Sequence, residues 1–218
     1  MKLCLYGASG FGKEVYDIAF RINEKYAKWD EIFFIDDSLD IEKVYGNNKL
    51  LTLDGLKGEY DKDNFELVIA IGEPSVRKKL YKRVKDLGIR MATLVDPSSL
   101  LSDTATINEG VIIAPFSNIT ASTVIKKNVL VNAHTTVGHD ILVGDHTVIS
   151  TNVTIGGNSV IGSESFIGLG AQTKENLTIG SQVIIGMGAI VFKDIESGMI
   201  AMGNPARPIR RNENKKVF

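Results

Sequence analysis

The sequence predicts a small parallel α/β domain over residues 1–97, followed by an all-β solenoid of triangular coils over residues 98–218. Two observations predict this division. An aliphatic residue occupies every sixth position from Ile107 to Val191 except at Thr173, and strand-like and helix-like segments alternate before Pro97. A six-residue period matches neither the helical repeat of 3.6 nor the strand repeat of 2.0. It is typical of short strands, three to a coil, with the aliphatic side chains stacked inside.

The strands and helices expected in the first domain alternate, which indicates a parallel sheet covered by helices. A glycine-rich turn, Gly7-Ala8-Ser9-Gly10-Phe11-Gly12, joins the first strand to the first helix, and Asp36 and Asp37 follow the second strand. The main strands are expected at residues 2–6, 31–35, 67–71 and 92–95, with a short strand before the third, and the helices at 13–26 and 75–87.

Composition argues against several classes of protein. The 25 basic and 26 acidic residues leave a net charge of −1, so no general attraction to nucleic acid or to a membrane surface is expected. No apolar run approaches the roughly 20 residues that span a bilayer, and the first residues do not resemble a secretory leader. We therefore expect a soluble cytoplasmic protein without membrane insertion, in which Cys4 is a buried apolar side chain.

The glycine turn and the acidic pair indicate a nucleotide site. Glycines at the start of a helix let the backbone approach a phosphate, and the free N–H groups there attract negative charge. Asp36 could accept hydrogen bonds from a ribose or a base edge. A domain of this size suits a single nucleotide, such as that of a nucleotide-sugar, better than the dinucleotide NAD. A tight turn without a ligand is the alternative.

The three histidines of the chain, His134, His139 and His146, fall within thirteen residues of the solenoid. His139 comes two residues after the inward Val137, so it should lie at an exposed turn, where Asp140 could hold the ring. Because a coil has eighteen residues, Gly157 should lie directly above His139, at the spacing of about 4.8 Å between neighbouring strands. An imidazole base below a bare backbone N–H predicts an acyl-transfer site.

Other interpretations of these residues stay open at this point. His139 could be a solvated turn residue, or it could bind a metal together with His134. The residues one coil away from His139 carry no metal-binding side chain, however, so no metal is expected. A basic cluster after the turn Gly203-Asn204-Pro205 could meet the phosphates of coenzyme A, or it could be a solvated tail. The basic residues of that cluster are Arg207, Arg210 and Arg211.

Several motifs occur together in the order of one known family. They are the GASGxG turn, a strand ending in Asp-Asp, the step Ile71-Gly72 before a basic helix, hexapeptide repeats with His-Asp, and a final Gly-Asn-Pro-Ala-Arg. The combination resembles the hexapeptide-repeat sugar acetyltransferases typified by the sialic acid O-acetyltransferase and the bacillosamine-pathway N-acetyltransferase. The resemblance covers essentially the whole chain. It is closer to the N-acetyltransferases of nucleotide-linked 4-amino-4,6-dideoxysugars such as perosamine and viosamine.

The resemblance implies a left-handed parallel β-helix, which is an exception to the right-handed crossover rule. It also implies a homotrimer that binds acetyl-CoA between neighbouring β-helices. By position, His139 matches the general base, Asp140 its acidic neighbour, and Asn132 a residue that could orient the base or the sugar. The residues expected near the coenzyme are Gly157, which would hold the acetyl carbonyl, and Gly156, Gly186 and Arg207. Those expected to bind the nucleotide-sugar are Gly10, Phe11, Gly12, Asp36, Asp37, Gly72, Glu73 and Arg77.

The chain departs from some members of the family at one position. Those members carry a second histidine nine residues after the first, where this sequence has Val148, which argues against a bacillosamine-type substrate. The expected activity is acetylation of the 4-amino group of a nucleotide-linked 4-amino-4,6-dideoxysugar, with His139 as general base, for O-antigen lipopolysaccharide or another surface glycan. Sugar O-acetylation of the sialic acid type is the alternative enzyme activity, and a non-catalytic trimeric scaffold is the alternative outside enzymes.

Overall fold

The computed structural model describes residues 1–38 and 50–217. Its first elements are β1 (Lys2–Tyr6), α1 (Gly10–Tyr26), β2 (Glu31–Ile35), β3 (Leu50–Leu51), α2 (Leu53–Glu59), β4 (Phe65–Ile69) and α3 (Pro74–Asp86). The four strands form one parallel sheet in the order β3-β2-β1-β4. The α/β domain predicted from the sequence is confirmed. Three elements begin earlier than predicted, since α1 includes the end of the glycine turn, β4 begins at Phe65 and α3 begins at Pro74.

A left-handed parallel β-helix follows, built from strands of two residues. These are β5 (Leu94–Val95), β6 (Leu100–Leu101), β7 (Thr106–Ile107), β8 (Ile112–Ile113), β9 (Asn118–Ile119), β10 (Val124–Ile125), β11 (Leu130–Val131), β12 (Thr136–Val137), β13 (Leu142–Val143), β14 (Val148–Ile149), β15 (Thr154–Ile155), β16 (Val160–Ile161), β17 (Phe166–Ile167), β18 (Gln172–Thr173), β19 (Thr178–Ile179), β20 (Ile184–Ile185) and β21 (Ile190–Val191). Each strand from β5 to β18 pairs in parallel with the strand eighteen residues later, as Thr136 pairs with Thr154.

These pairings produce the three faces of a triangular prism. The first face contains β5, β8, β11, β14, β17 and β20; the second runs from β6 to β21 and the third from β7 to β19. We call the turns that follow the strands of each face the first, second and third corners. The first face is extended by β22 (Met199–Met202) and the antiparallel β23 (Arg207–Arg211), which form after the period ends.

The corners explain why the period is six. One residue of each turn adopts the left-handed conformation, at every sixth position from Gly110 to Gly188, and its φ lies between 54° and 75°. Non-glycine residues occupy most of these positions although the conformation disfavours a Cβ atom. Stacking against neighbouring coils therefore outweighs a local cost at each corner. The sixfold positions predicted to point inward are buried in one continuous core, among them Ile119, Val137 and Ile155.

The two domains share a packed interface on the first face. Outward side chains of that face, Ile112, Leu130 and Val148, pack in the same apolar cluster as Leu3 and Val15 of the α/β domain. Residues 92–95 were expected to form a strand of the α/β sheet, but Leu94 and Val95 pair with Ile112 and Ile113 in the solenoid. The chain passes between the domains without a free linker, because Met91 still bridges to Leu67 of β4.

Candidate active site

His139 and Asp140 lie at the second corner, directly after β12. The left-handed conformation of Asp140, with φ of 55°, accompanies a contact of 2.8 Å between its Oδ2 atom and Nδ1 of His139. In the tautomer that carries its proton on Nδ1, the ring donates to this carboxylate and Nε2 keeps its lone pair. The two side chains are 66% and 58% exposed. The imidazole ring is therefore held by its neighbour and exposed on the outside of the coil.

Gly157 lies one coil above His139, as the eighteen-residue register predicts. The Asn158 N–H donates to the His139 carbonyl, and a Cβ atom on Gly157 would lie 2.6 Å from His139 Nε2. Only glycine therefore leaves room for the ring. Gly138 beneath is equally constrained, because a Cβ atom there would lie 2.8 Å from Gly157 N. Among the residues that the structure describes, none accepts a hydrogen bond from the Gly157 N–H.

A cleft of about 550 Å³ opens at the first corner, between the two domains. The α/β domain contributes Phe11 of α1 and the loop of residues 71–73 that precedes α3. The polar side chains in the lining are Glu73, Asn132 and Ser150. The floor of the cleft is apolar and consists of outward side chains of the first face, namely Leu130, Val148, Phe166 and Ile184.

The glycine turn places the start of α1 at this cleft. A Cβ atom on Gly7 would lie 2.6 Å from the Ala70 carbonyl oxygen, and one on Gly12 would collide with the Gly7 carbonyl. These two glycines are therefore required by packing. Gly10 is different, because no atom lies within 4 Å of the position of a Cβ atom there. Gly10 and Phe11 begin the helix, whose N-cap residue Ser9 makes no side-chain capping bond, so the first-turn N–H groups can receive an anion.

Asp36 and Asp37 hold the α/β domain together beside this turn. Asp36 accepts hydrogen bonds from the Ala8 N–H at 3.0 Å and from Ser38. Burial opposes ionisation of Asp37, but hydrogen bonds from Tyr6 Oη, the Leu53 N–H and Arg83 outweigh it and lower its pKa. Both carboxylates therefore have partners inside the protein, and Asp36 fixes the shape of the glycine turn.

Arg77 lies away from the cleft, although the resemblance implies a substrate contact. Its side chain is fully buried, where Nη1 donates to the carbonyls of Ile69 and Ile71. Nε and Nη2 donate to the carbonyl and side-chain oxygens of Asn128 at the third corner. Burial lowers the pKa of Arg77 to about 9, so it is still charged at neutral pH. Arg77 cannot reach a ligand from this position, and it fixes the cleft loop against the solenoid.

His146 and Asn128 complete this buried contact, and sequence reasoning did not assign it to either of them. The Asn128 amide donates to the Arg77 carbonyl and to Nδ1 of His146, whose ring lies 5.1 Å from that of Tyr81. Burial lowers the pKa of His146, so the neutral ring that accepts this bond is favoured. Asn128 and His146 lie in turns and Arg77 lies on a basic helix, and the sequence pattern at such positions is typical of solvent-exposed side chains. Only their positions in the coil could have indicated the contact.

The other predicted residues are divided between the corners. Gly186 and Asn132 lie at the first corner and line the cleft, while Gly156 lies beside Gly157 at the second. Arg207 is exposed at the start of β23. Glu73 faces the cleft and also accepts hydrogen bonds from Ser75 and from the Val217 N–H. His134 is exposed and stacks on Phe116 at the first corner.

Within one chain the structure does not bring the two regions together. Asn132 precedes β12 and His139 follows it, so a whole side of the triangle separates them. No three His, Cys, Asp or Glu side chains meet as a metal cluster within residues 1–38 and 50–217. In the same part of the chain, none of the helices has the length and apolar character needed to cross a membrane.

Comparison with known proteins shows which family has this architecture. Residues 2–84 match the family model described as the PglD N-terminal domain. The acetyltransferase domain of PglB from Neisseria gonorrhoeae FA1090, solved in complex with acetyl coenzyme A, is 32% identical with a TM-score of 0.88. The match covers 95% of this chain and 98% of that one. The chain belongs to the hexapeptide-repeat sugar acetyltransferases.

Two further proteins are similar to this chain. WeeI from Acinetobacter baumannii AYE is 30% identical with a TM-score of 0.87, over 96% of this chain and 100% of that one. The GDP-perosamine N-acetyltransferase of Escherichia coli O157:H7 is 32% identical over 113 residues, which are 51% of this chain. That alignment spans 50% of the curated relative, or about half its length.

Replacing Arg77 should test its role as a buried contact between the domains. Arg77→Leu should lower the free energy of unfolding by about 3 kcal/mol or more, because several buried carbonyls lose their donor. Lys78→Ala is the matched control, since its exposed ion pair with Glu164 also joins α3 to the solenoid and should be worth less than about 1 kcal/mol. Urea unfolding of both variants measures the difference. Equal losses would contradict the role given to Arg77.

Proposed function

We propose that this protein transfers the acetyl group of acetyl-CoA to the 4-amino group of a nucleotide-linked 4-amino-4,6-dideoxysugar. The observation that carries the proposal is the exposed pair at the second corner, in which His139 Nε2 faces the bare backbone of Gly157. Membership of the sugar acetyltransferases supplies the reaction class. The relatives that resemble this chain include a GDP-perosamine N-acetyltransferase and a domain solved with acetyl coenzyme A.

The proposed reaction is a direct attack without a covalent enzyme intermediate. The sugar amine attacks the thioester carbonyl carbon, and His139 Nε2 takes a proton from the nitrogen as the tetrahedral centre forms or collapses. Asp140 stabilises the imidazolium through Nδ1. The Gly157 N–H donates to the carbonyl oxygen as it becomes negative. Collapse breaks the C–S bond, and the departing CoA thiolate receives the proton, so the products are the amide and free CoA.

The cleft at the first corner is the proposed acceptor site. The start of α1 would receive the nucleotide phosphates, because its first N–H groups lack a side-chain cap. The apolar floor around Val148 and Phe166 suits a sugar that lacks the 6-hydroxyl group, since an unmatched hydroxyl there would lose its hydrogen bonds to water. We place the reaction in the cytoplasm, and its product would serve the synthesis of O-antigen lipopolysaccharide or another surface glycan.

The division of the site between corners supports a homotrimer. The cleft and Asn132 lie at one corner and His139 at another, so one chain cannot close the site around a single acceptor. A cyclic trimer has three identical interfaces, and in the proposed assembly the second corner of one protomer would meet the first corner of its neighbour at each of them. Acetyl-CoA would then lie in the groove between two β-helices, with Gly156 and Gly157 on one side and Gly186 on the other. Arg207 would lie near its phosphates.

Removing the base should abolish turnover while leaving the fold intact. His139→Ala should lower kcat by about 10²–10⁴, since this is the usual contribution of general-base catalysis. Steady-state release of CoA measures the loss, with Lys126→Ala at the exposed third corner as control. The wild-type protein should be assayed with a panel of nucleotide-linked 4-amino sugars and with sialic acid. Full activity of His139→Ala would contradict the mechanism, and acetylation of the hydroxyl substrate alone would favour the O-acetyltransferase.

Mixing two inactive variants should test whether the site is shared. Gly72→Trp should fill the cleft, because a Cβ atom there has no neighbour within 4 Å, and His139→Ala removes the base. Each variant alone should be inactive. Trimers assembled at random from equal amounts should regain about a quarter of the wild-type sites, where an intact cleft meets an intact His139. No recovery in oligomers that mass spectrometry shows to be mixed would contradict a shared site.

A further inference from the structure

The hydrogen-bond ladder of the solenoid has one irregular position, and it lies beside the candidate active site. The first residue of each corner donates its N–H to the carbonyl seventeen residues later. This holds at every sixth residue from Asp96 to Lys174 except Gly156. At Gly156 the acceptor is the side-chain oxygen Oγ1 of Thr173, at 3.0 Å. The strands that lead into this corner, β15 and β18, pair through Thr154 and Gln172 alone, whereas the neighbouring pairs have two residue pairs.

Thr173 is also the exception in the sequence repeat. Every other sixfold position from Ile107 to Val191 is aliphatic, and Thr173 occupies the same inward column with 8% exposure. A hydroxyl group in an apolar column is unfavourable unless it is hydrogen-bonded. Valine would fill nearly the same volume without this cost, so packing does not explain the threonine. The exception in the sequence and the irregularity in the ladder are therefore one feature.

This feature controls the backbone that faces the catalytic base. Gly156 immediately precedes Gly157, and a Cβ atom on Gly156 would lie 2.5 Å from the carbonyl carbon of Lys174 in the coil above. The Gly156–Gly157 segment is thus held closely from above by residues 173–175 and from below by the His139 ring. The bond made by the Gly156 N–H fixes the planar peptide unit that ends at Gly156. The close contacts above Gly156 and below Gly157 then restrict how the next unit, which carries the Gly157 N–H, can turn about the Gly156 Cα atom.

We propose that Thr173 is a positioning residue of the active site: its hydroxyl replaces the ladder carbonyl at Gly156 and so orients the Gly157 N–H toward the acetyl carbonyl oxygen. The inference rests on the proposed acetyl transfer at His139. Thr173 touches neither substrate. Its effect should fall on transition-state stabilisation, because the Gly157 N–H bonds most strongly when negative charge develops on the oxygen.

Three substitutions separate positioning from packing. Thr173→Val removes the hydroxyl at nearly constant volume and completes the aliphatic column. Thr173→Ser keeps the hydroxyl. The matched control is Thr120→Val at the same corner, where the Thr120 hydroxyl only adds to a ladder bond that its own N–H already makes to the Val137 carbonyl. Thr173→Ala serves as a second hydroxyl-deleting variant if the valine protein does not fold.

The experiment is steady-state kinetics of acetyl transfer, with thermal melting to confirm that each variant is folded at the assay temperature. We expect kcat of Thr173→Val to fall about 10- to 100-fold, with the KM values of both substrates within about twofold of wild type. Thr173→Ser and Thr120→Val should stay within about threefold in kcat.

Other results would overturn the inference. Wild-type kcat in Thr173→Val, or an equal loss in Thr173→Ser or Thr120→Val, would show that the hydroxyl does not position the site. A loss confined to KM would also do so, since it would indicate altered binding of both ground and transition states. If the wild-type protein itself transfers no acetyl group, the proposed function fails instead, so the two failures are distinguishable.

Discussion

Parallel pairing between residues eighteen apart is the constraint on which the rest of this protein depends. It fixes the period of the corners and stacks each side chain of a coil on the equivalent side chains of the coils above and below. The pair of His139 and Gly157 is a consequence, because the register places one above the other and only a bare backbone at Gly157 leaves room for the ring. The left-handed conformation costs conformational free energy at the many non-glycine corner residues. It persists because a different turn would break the eighteen-residue register.

Because the coils are so regular, a residue that departs from the repeat indicates a local structural role. A column of aliphatic residues needs no polar side chain, so Thr173 stands out both in the sequence and in the ladder. The buried guanidinium of Arg77 is a comparable exception at the domain interface. Buried polar groups of this kind are unfavourable unless they are fully hydrogen-bonded. In both cases the bonds they make fix a segment of backbone next to the proposed site, namely Gly156 above the base and residues 69–71 beside the cleft.

Different interactions hold the two parts of the proposed site, the second corner and the cleft, in place. At the second corner, backbone stacking alone places the exposed His139 ring beside the backbone of Gly157. The cleft at the first corner instead depends on how the α/β domain packs on the first face, through an apolar interface and the contact between Arg77 and Asn128. In a protein built in this way, the loop of residues 71–73 and α1 can vary while the corner of His139 and Gly157 stays unchanged.

The sequence by itself determined the solenoid, its register and the meeting of His139 with Gly157, because a fixed period converts spacing directly into contact. It also determined the alternation of β1, α1 and β2, whose apolar and glycine patterns are local. Only the tertiary structure decided that Leu94 and Val95 leave the first sheet, and that Asp36, Asp37 and Arg77 bond within the protein. These outcomes depend on which polar groups lose contact with water when the domains pack together. The spacing of residues in the sequence does not specify this.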